Sequence, residues 1–494
     1  MLLKAKERKN ECGILLPLFS LPSKYGIGSL GKEAFQFVDF LNESKQNYWQ
    51  ILPLCPIGKG NSPYTSSCAF AGEILFIDID LLTDDGLLKK EDIKEASFKQ
   101  NIDYKKCREF KTPLLKKAAE NFDISNTDFL HFCEENSYWL EDFALFSAIK
   151  DEENSGSFLE WNDGLKYRNA SVLNKFETTH KKEILFYKIS QFLFFLQYNR
   201  LHRYANEKGI KIIGDMPFYV SLESSDVWGN SKIFKLGKDL TPLLWAGVPP
   251  DIFSSDGQLW ENPIYDWEYL KTTDYDWWKK RILHNRKLYD IIRIDHFRAF
   301  ADYYTVPTGS NNATYGKWEK GVGMGFWGGI KPLIKGNEII AEDLGGEDSS
   351  IVQKLISDTG FPNMKVLQFA FNSDSNNLFL PKNFGRNCVC YTGTHDNDTT
   401  LGWYKNLKCK ERIMFESIVP RNKFQSPTLS LISFAMNSKA KIAIIPLQDY
   451  LELDSQARVN TPGTTDGNWV WRFSKNDITK ELTKTIIKLS KQRK

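Results

Sequence analysis

Several features that would point to a membrane, secreted or nucleic-acid-binding protein are missing from this chain of 494 residues. No run of about 18 apolar residues is present, and the N-terminal MLLKAKERKN has no apolar core, so neither a membrane-spanning helix nor a secretory signal is predicted. Lys and Arg number 65 against 62 Asp and Glu, a net charge of only +3. This balance gives no reason to expect nucleic acid or an acidic membrane as a partner. We expect a soluble, cytoplasmic protein.

Motifs of several common enzyme classes are also absent. The eight cysteines form no CxxC pair and the six histidines are scattered, so no metal site is predicted. The cysteines are expected to be unpaired thiols in a reducing compartment. The chain has no GxSxG nucleophile elbow, no HExxH zinc motif and no Walker A loop. Serine hydrolases of the elbow type, zinc proteases and P-loop nucleotide enzymes are therefore disfavoured.

Aromatic residues are abundant, with 14 Trp, 20 Tyr and 34 Phe. Two interpretations remain open for them: ordinary core filling, or flat platforms for a sugar ring.

Apolar runs share one pattern, in which β-branched or aromatic residues stop abruptly at a polar residue. Such runs suit strands that are buried on both faces, as in a parallel sheet. They are YWQILPL (48–54), GIKIIGDMP (209–217), YDIIRIDHF (289–297), NEIIAEDLG (337–345), NCVCYTGTHDND (387–398) and KIAIIPLQD (441–449).

Helical segments lie between these runs, such as 186–209, which ends at a glycine typical of a helix C-terminus. The alternation predicts an α/β fold, either a (β/α)₈ barrel or an open doubly wound sheet. An open nucleotide-binding sheet would show a glycine-rich turn after its first strand, but GVGMGFWGG (321–329) follows no apolar strand and is interpreted as a mobile loop. Acidic residues that close separate runs are the arrangement of a barrel, whose active site lies at the C-terminal ends of its strands. These are Asp215, Asp295, Glu342 and Asp396.

We therefore predict one catalytic barrel unit over residues 1–494, interrupted by two insertions. Residues of about 82–185 are rich in charged residues with helical spacing and are expected to form a helical subdomain. Residues of about 221–280 are rich in Trp, Pro and Gly and are expected to form a second insertion with an active-site loop.

Three of these acids, Asp295, Glu342 and Asp396, could lie at one point of a barrel, where two carboxyl groups can divide the work of glycosyl transfer. A pair of carboxyl groups in opposite protonation states, one a nucleophile and one a general acid, performs retaining glycosyl transfer or hydrolysis. Arg293 lies two residues before Asp295, on the same face of the strand, and would favour the ionised form of that acid. Apolar neighbours and nearby carboxylates would raise the pKa of Glu342, as proton donation requires. Taken singly, each acid could equally be a helix N-cap after a strand.

RIDHFR, AEDLG and THDN, in this order, resemble the last three signature regions of the α-amylase superfamily. Their wording resembles the 4-α-glucanotransferases, also called amylomaltases or disproportionating enzymes. The resemblance covers nearly the whole chain, including WQILPLCPIGKGNSPY (49–64) and QDYLELDSQARVNTPGTTDGNWVWR (448–472). It implies a (β/α)₈ barrel with inserted, largely helical subdomains, no separate C-terminal β-domain and no cofactor or metal.

The resemblance also implies roles for individual residues. Asp295 corresponds to the nucleophile, Glu342 to the general acid/base and Asp396 to the carboxylate that grips the ring hydroxyls of the sugar. Expected substrate contacts fall on other matching positions. These are Arg293, which orients the nucleophile, His395 and Asp215, which contact the same sugar, Tyr64, an aromatic platform under its ring, and Asp251, Gln258 and Trp260, on a loop over the cleft.

The chain departs from the family pattern at a few positions. Glu261 stands where glycine is usual, and a positive φ there would strain a residue with a side chain. Asn372 replaces a usual aspartate. The roles of His296 and Arg298 stay open between bracing the strand end and lining the acceptor side.

The implied reaction moves a segment of a 1,4-α-glucan to the 4-OH of another glucan or of glucose, so maltodextrin is the expected donor and acceptor. A hydrolase of the same superfamily and a non-catalytic α-glucan-binding protein are the alternatives. The sequence does not specify an oligomeric state and is compatible with a monomer.

Overall fold

The computed structural model describes residues 11–153, 156–250, 255–334, 338–345, 349–420 and 426–493. The strands within these ranges are β1 (Glu11–Leu15), β2 (Tyr48–Gln50), β3 (Lys211–Met216), β4 (Leu244–Val248), β5 (Gln258–Pro263), β6 (Ile291–Ile294), β7 (Asp302–Pro307), β8 (Lys317–Lys320), β9 (Ile339–Ala341), β10 (Asn363–Val366), β11 (Cys388–Tyr391) and β12 (Ile442–Pro446).

The helices alternate with these strands along the chain. They are α1 (Lys32–Glu43), α2 (Ile79–Asp84), α3 (Tyr104–Glu120), α4 (Thr127–Glu135), α5 (Ser137–Glu153), α6 (Asp163–Lys166), α7 (Ala170–Thr179), α8 (Lys181–Glu207), α9 (Ser225–Gly229), α10 (Trp267–Thr272), α11 (Asp276–Leu288), α12 (Gly323–Ile330), α13 (Ser350–Thr359), α14 (Thr400–Asn406), α15 (Cys409–Ile418), α16 (Pro427–Met436), α17 (Leu447–Tyr450) and α18 (Lys480–Ser490). No helix in the described ranges is long and apolar enough to cross a membrane.

Eight strands close into a parallel barrel in the order β1-β12-β11-β10-β9-β6-β3-β2. The fold class is the predicted (β/α)₈ barrel, and the described part of the chain after β12 contains helices but no strand. All six predicted apolar runs supply barrel strands. Each residue of β6, β9, β11 and β12 is buried, as expected of strands covered on both faces.

The end of β3 shows how the barrel positions a polar group. Gly214 lies against the ring of Tyr289, and a Cβ at this position would come within 2.2 Å of that ring. A glycine is therefore required for β3 to approach Tyr289. The following residue, Asp215, then reaches the C-terminal end of the barrel beside Arg293, its register partner in β6.

A second, antiparallel sheet stands outside the barrel, in the order β5-β4-β7-β8. It has a small core of its own, formed by Tyr304, Val306 and Ala313, against which Trp245 and Leu259 pack. Two of its strands, β4 and β5, come from the predicted insertion at about 221–280, and the other two come from residues after β6.

The glycine-rich segment 321–329 was predicted as a mobile loop, and that prediction is wrong. Most of it forms α12, whose Phe326 and Trp327 are buried among aromatic rings. The rings of Phe300 and Phe326 are stacked with centroids 5.1 Å apart, and Trp327 meets Phe300 edge-on at 4.9 Å. Burial of these large rings outweighs the low helix propensity of glycine. Much of the aromatic content is therefore core.

Candidate active site

Polar side chains from four strands converge at the C-terminal end of the barrel. Asp215 and Arg293 lie within β3 and β6, and Asp295, Glu342 and the pair His395–Asp396 follow β6, β9 and β11. In barrel enzymes this end of the strands carries the reactive groups.

Arg293 is the centre of the charge cluster. It is 3 % exposed, and its Nη1 donates to both carboxylate oxygens of Asp215 at 2.8 and 2.7 Å. Its Nη2 lies 3.0 Å from Oδ1 of Asp295. Burial alone would lower the pKa of Arg293, but the two carboxylates reverse this and raise it well above its ordinary value. The guanidinium therefore remains charged and fixes the direction of the Asp295 side chain.

Tyr64 joins this cluster to the other side of the barrel mouth. Its hydroxyl donates to Oδ2 of Asp215 at 2.8 Å and lies 2.9 Å from Nε2 of His395. The two rings are stacked, with centroids 5.3 Å apart and planes 13° apart. Burial, followed by the charge of Asp215, raises the pKa of Tyr64 well above its usual value, so the phenol stays protonated. Nε2 of His395 is also 3.2 Å from Oδ2 of Asp396.

Glu342 lies in an environment that favours its protonated form. It is 7 % exposed, and burial, followed by the negative charge of Asp295, raises the pKa of Glu342 to about 8. Two backbone N–H groups, from His296 and Leu344, donate to its oxygens at 2.7 Å each and hold the carboxyl group in place. Since one of these amides belongs to the residue after Asp295, the two acids are tied to each other through the backbone.

Asp396 remains ionised over a wide pH range. Burial would raise its pKa, but His395 and a hydrogen bond from Asn460 lower it to about 2. Nδ2 of Asn460 donates to Oδ1 of Asp396 at 2.6 Å, and Arg458 donates to the Asp396 carbonyl at 2.7 Å. Neither Asn460 nor Arg458 was predicted as a site residue. Both lie in the quoted stretch 448–472, but no apolar run or charge spacing marks them.

Of the three residues predicted on a loop over the cleft, the structure describes two, and both lie in a strand. Gln258 and Trp260 lie in β5, where Nε1 of Trp260 donates to Oε1 of Gln258 at 3.1 Å. The indole meets the ring of His296 edge-on, with centroids 4.9 Å apart. His296 follows Asp295 directly, so Trp260 stands over the charge cluster. Asp251 lies outside the described residues.

The structure places Arg298 and His296, whose roles the sequence left open, in different environments. Arg298 braces the strand end: its Nε donates to Asp302 at 2.8 Å, its Nη1 donates to the carbonyl of Gly345 at 2.6 Å, and its guanidinium stacks 3.9 Å from the ring centroid of Trp318. His296 instead has a left-handed backbone (φ 49°) and contacts Trp260. Burial lowers the pKa of His296 to about 4, so its imidazole is neutral at neutral pH.

This arrangement places two carboxyl groups in contrasting electrostatic environments. One carboxyl group, Glu342, is kept protonated at neutral pH, while Asp295 is ion-paired with a buried guanidinium. Groups with this division of labour can donate a proton to a leaving oxygen and attack the carbon that it leaves. Among the described residues, no group of three or more His, Cys, Asp and Glu side chains is arranged to hold a metal ion.

Comparisons with known proteins agree with this geometry. The profile of a family described as 4-alpha-glucanotransferase matches residues 16–479. A 4-alpha-glucanotransferase of Clostridium butyricum is 45 % identical over 482 residues, covering 96 % of this chain and 98 % of the relative. One from Streptococcus pneumoniae is 41 % identical over 490 residues, covering 98 % and 97 %. The amylomaltase from Streptococcus agalactiae, solved in complex with acarbose, superposes with a TM-score of 0.94 at 38 % identity, over 98 % of this chain and 99 % of that one.

Proposed function

The chain belongs to the 4-α-glucanotransferase family and is an enzyme of glucan transfer, and from this premise we propose how its own residues perform the reaction. Asp295 is the nucleophile, Glu342 the general acid/base and Asp396 the carboxylate that holds the ring hydroxyls. The observation that carries this assignment is the contrast between the electrostatic environments of Glu342 and Asp295 at the barrel mouth. Burial and the charge of Asp295 raise the pKa of Glu342 to about 8, and Asp295 is ion-paired with Arg293 at 3.0 Å.

In the first step the Asp295 carboxylate attacks the anomeric carbon of an α-1,4-linked glucan. Glu342 gives its proton to the glycosidic oxygen, the bond to that oxygen breaks, and the shortened glucan leaves with a free 4-OH. A covalent ester between Asp295 and the donor segment remains, with inverted configuration.

In the second step the ionised Glu342 accepts the proton of an acceptor 4-OH. The acceptor oxygen attacks the anomeric carbon, the ester to Asp295 breaks, and the original α configuration is restored. Glu342 is again protonated and Asp295 again ionised, so both groups have returned to their starting states.

The remaining site residues prepare the donor sugar. Arg293 aims Asp295, and the fully buried carboxylate of Asp215 accepts from both Arg293 and Tyr64 and so holds these two side chains in place. Tyr64, stacked on His395, forms a flat surface under the ring. Asp396 keeps its charge through contacts with His395 and Asn460, which suits it to accept hydrogen bonds from two hydroxyls.

Transfer instead of hydrolysis requires an acceptor site that places a sugar hydroxyl better than water at about 55 M. We assign this role to Trp260 and Gln258 in β5. The family resemblance adds Asp251, which lies outside the described residues. The indole is held by Gln258 and faces His296 beside the nucleophile, which suits it to stack an acceptor ring over the intermediate.

Incubation with maltotriose tests the proposed function. We expect glucose together with a ladder of longer maltodextrins, because each donor segment is passed to another chain. Glucose and maltose without longer products would favour the hydrolase alternative. Binding of maltodextrin without any products would favour a non-catalytic glucan-binding protein.

The pKa of Glu342 predicts the pH dependence of turnover. The free enzyme must hold Glu342 protonated, and its pKa is raised to about 8, so kcat/KM is expected to fall as the pH rises through about 8. Asp396, with its pKa lowered to about 2, stays ionised throughout this range. A pH profile with maltotriose checks this. An alkaline limb that persists unchanged in Glu342→Gln would assign the limb to a different group.

The domain organisation, the substrates and the cellular location are also proposals. We propose one catalytic unit over residues 1–494 with a helical insertion at about 82–185, which is supported by helices α3 to α7 between β2 and β3. A second insertion at about 221–280 is supported by β4 and β5 of the outer sheet. We propose α-1,4-glucans as donor and acceptor. A cytoplasmic location is supported by eight free cysteines, which suit a reducing compartment.

A further inference from the structure

An ion pair outside the charge cluster joins the loop before Tyr64 to strand β5. Nζ of Lys59 lies 3.0 Å from Oε2 of Glu261. Lys59 belongs to the loop that leads to Tyr64, and Glu261 follows Trp260 in β5. The pair therefore connects the loop that carries the donor platform to the strand that carries the acceptor platform.

The backbone around Lys59 is held by hydrogen bonds within its own loop. The amide of Gly58 donates to the carbonyl of Ser62 at 3.2 Å, and Oγ1 of Thr65 donates to the Lys59 carbonyl at 2.9 Å. These bonds enclose the segment that leads to Tyr64. The position of Lys59 is therefore fixed relative to Tyr64, which lies five residues further along the chain.

Glu261 has a strained backbone. Its φ is +56°, in the left-handed region that favours glycine. The register between β4 and β5 pairs Trp245 with Pro263 and Gly247 with Leu259, so three residues of β5 oppose Ala246 alone. Glycine is favoured at the left-handed position of such a bulge. A glutamate in this place is disfavoured by its backbone, and the contact that its side chain makes with Lys59 offsets this.

Trp260 contacts the rings of Tyr219 and His296, but the strand that carries it has few other attachments on its outer side. β5 is an edge strand, paired with β4 on one side only. The side chain of Asn262 donates to the carbonyl of Val220 at 2.8 Å. A cavity of about 760 Å³, lined in part by Lys59, Glu261 and Trp245, lies beside the strand, so no packed core supports it there.

We infer that Lys59 and Glu261 form a positioning pair that holds Trp260 at a fixed distance from Tyr64 and so sets the affinity for the acceptor sugar. The inference rests on the proposed function of Trp260 as acceptor platform. Neither residue of the pair touches the reacting atoms. Loss of the pair leaves the carboxylates in place but lets β5 move, so acceptor binding weakens while the chemical step changes little.

The pair is open to solvent, with side chains 84 % and 59 % exposed. The attraction between exposed charges is modest and is screened when the Debye length falls from ~10 Å at ~0.1 M salt to ~3 Å at ~1 M. Glucan substrates carry no charge, so added salt has no direct effect on their binding. A salt dependence of the acceptor KM that disappears in Lys59→Met is therefore the signature of the ion pair.

The test measures transfer from a maltodextrin donor to glucose in Lys59→Met, Glu261→Gln, Glu261→Gly, the charge-exchanged double variant Lys59→Glu/Glu261→Lys, and Lys59→Arg as the conservative control. We expect KM for glucose to rise about two- to fivefold at low salt in the three variants that remove a charge, with kcat nearly unchanged. Native protein should approach these values in high salt. The arginine and charge-exchanged variants should retain the native KM and its salt dependence.

Glu261→Gly separates positioning from simple stability. Because glycine relieves the left-handed strain, its Tm should equal or exceed that of the native protein, although its acceptor KM rises. An unchanged acceptor KM in Lys59→Met, or no recovery in the charge-exchanged variant, would overturn the inference. If the native protein itself forms no longer dextrins from maltotriose, the proposed function has failed. If the native protein forms longer dextrins but the charge-removing variants have the same acceptor KM as the native protein, this inference has failed and the proposed function stands.

Discussion

Replacing Asp295 by asparagine is expected to abolish glucan transfer. The amide cannot form the ester intermediate, and loss of a catalytic nucleophile typically lowers kcat by at least about 10⁴-fold. Maltodextrin binding should persist, because Asp215, Tyr64 and His395 remain joined by their own hydrogen bonds. Product formation from maltotriose measures the first expectation, and calorimetric titration with maltodextrin measures the second.

Asp290→Asn provides a matched control for this variant. It makes the same substitution immediately before β6, where Asp290 accepts hydrogen bonds from Ile212 and Asn206. A loss at this position affects local stability but not the cleft, so turnover should be retained below the unfolding temperature. If Asp295→Asn turns over maltotriose as well as Asp290→Asn does, the nucleophile assignment is wrong.

The barrel and its carboxylates could be predicted because each signal is local. A strand covered on both faces must be apolar at every position, as β12 is, and a polar residue directly after it must lie at the barrel mouth. Asp295 and Glu342 follow from this rule. The expected roles of Tyr64, His395 and Trp260 came instead from the family resemblance, since no spacing in the sequence sets them apart.

Other parts of the site depend on contacts between distant segments, which carry no local pattern. Asn460 lies 64 residues after Asp396 in the chain, in a segment (458–474) without helix or strand. The outer sheet was hard to predict because β8, KWEK, is a polar edge strand with little alternation. The bulge at Glu261 is set by the register with β4, and the sequence showed only a departure from the expected glycine.

Glu342→Gln is expected to have the second largest effect, and its size should depend on the leaving group. Glutamine cannot donate a proton, so a maltodextrin, whose leaving alcohol is a poor one, should react about 10²- to 10⁴-fold more slowly. An aryl glycoside with an acidic phenol leaves without protonation, so formation of the intermediate should be much less affected. Equal losses with both substrates would count against the role of Glu342.

The second half-reaction of this variant gives an independent test. Without a base, an acceptor 4-OH attacks slowly, so the ester on Asp295 should accumulate and release of the phenol should show a burst. Azide is a nucleophile that needs no deprotonation. Its nitrogen can attack the anomeric carbon and displace Asp295, giving an α-glucosyl azide and restoring turnover of the aryl glycoside. Absence of azide rescue in a variant that still forms the intermediate would contradict the assignment of Glu342 as base.

Stability supplies the final check on Glu342→Gln, since a folding defect would also lower activity. The pKa of Glu342 is raised from 4.5 to about 8, so the folded protein binds this proton more tightly than the unfolded chain does. The carboxyl group therefore destabilises the fold progressively as the pH rises from about 4.5 to 8. Glutamine carries no titrating proton, but its NH2 group faces one of the two backbone N–H donors that contact Glu342, a cost that does not change with pH. The Tm of the variant relative to the native protein should therefore rise from pH 4 to pH 8. Glu338→Gln, at the opposite end of β9 beside Arg286, should show neither this gain nor a loss of turnover. A relative Tm that rises with pH while proton donation is lost would identify Glu342 as a residue kept for chemistry at the expense of the fold.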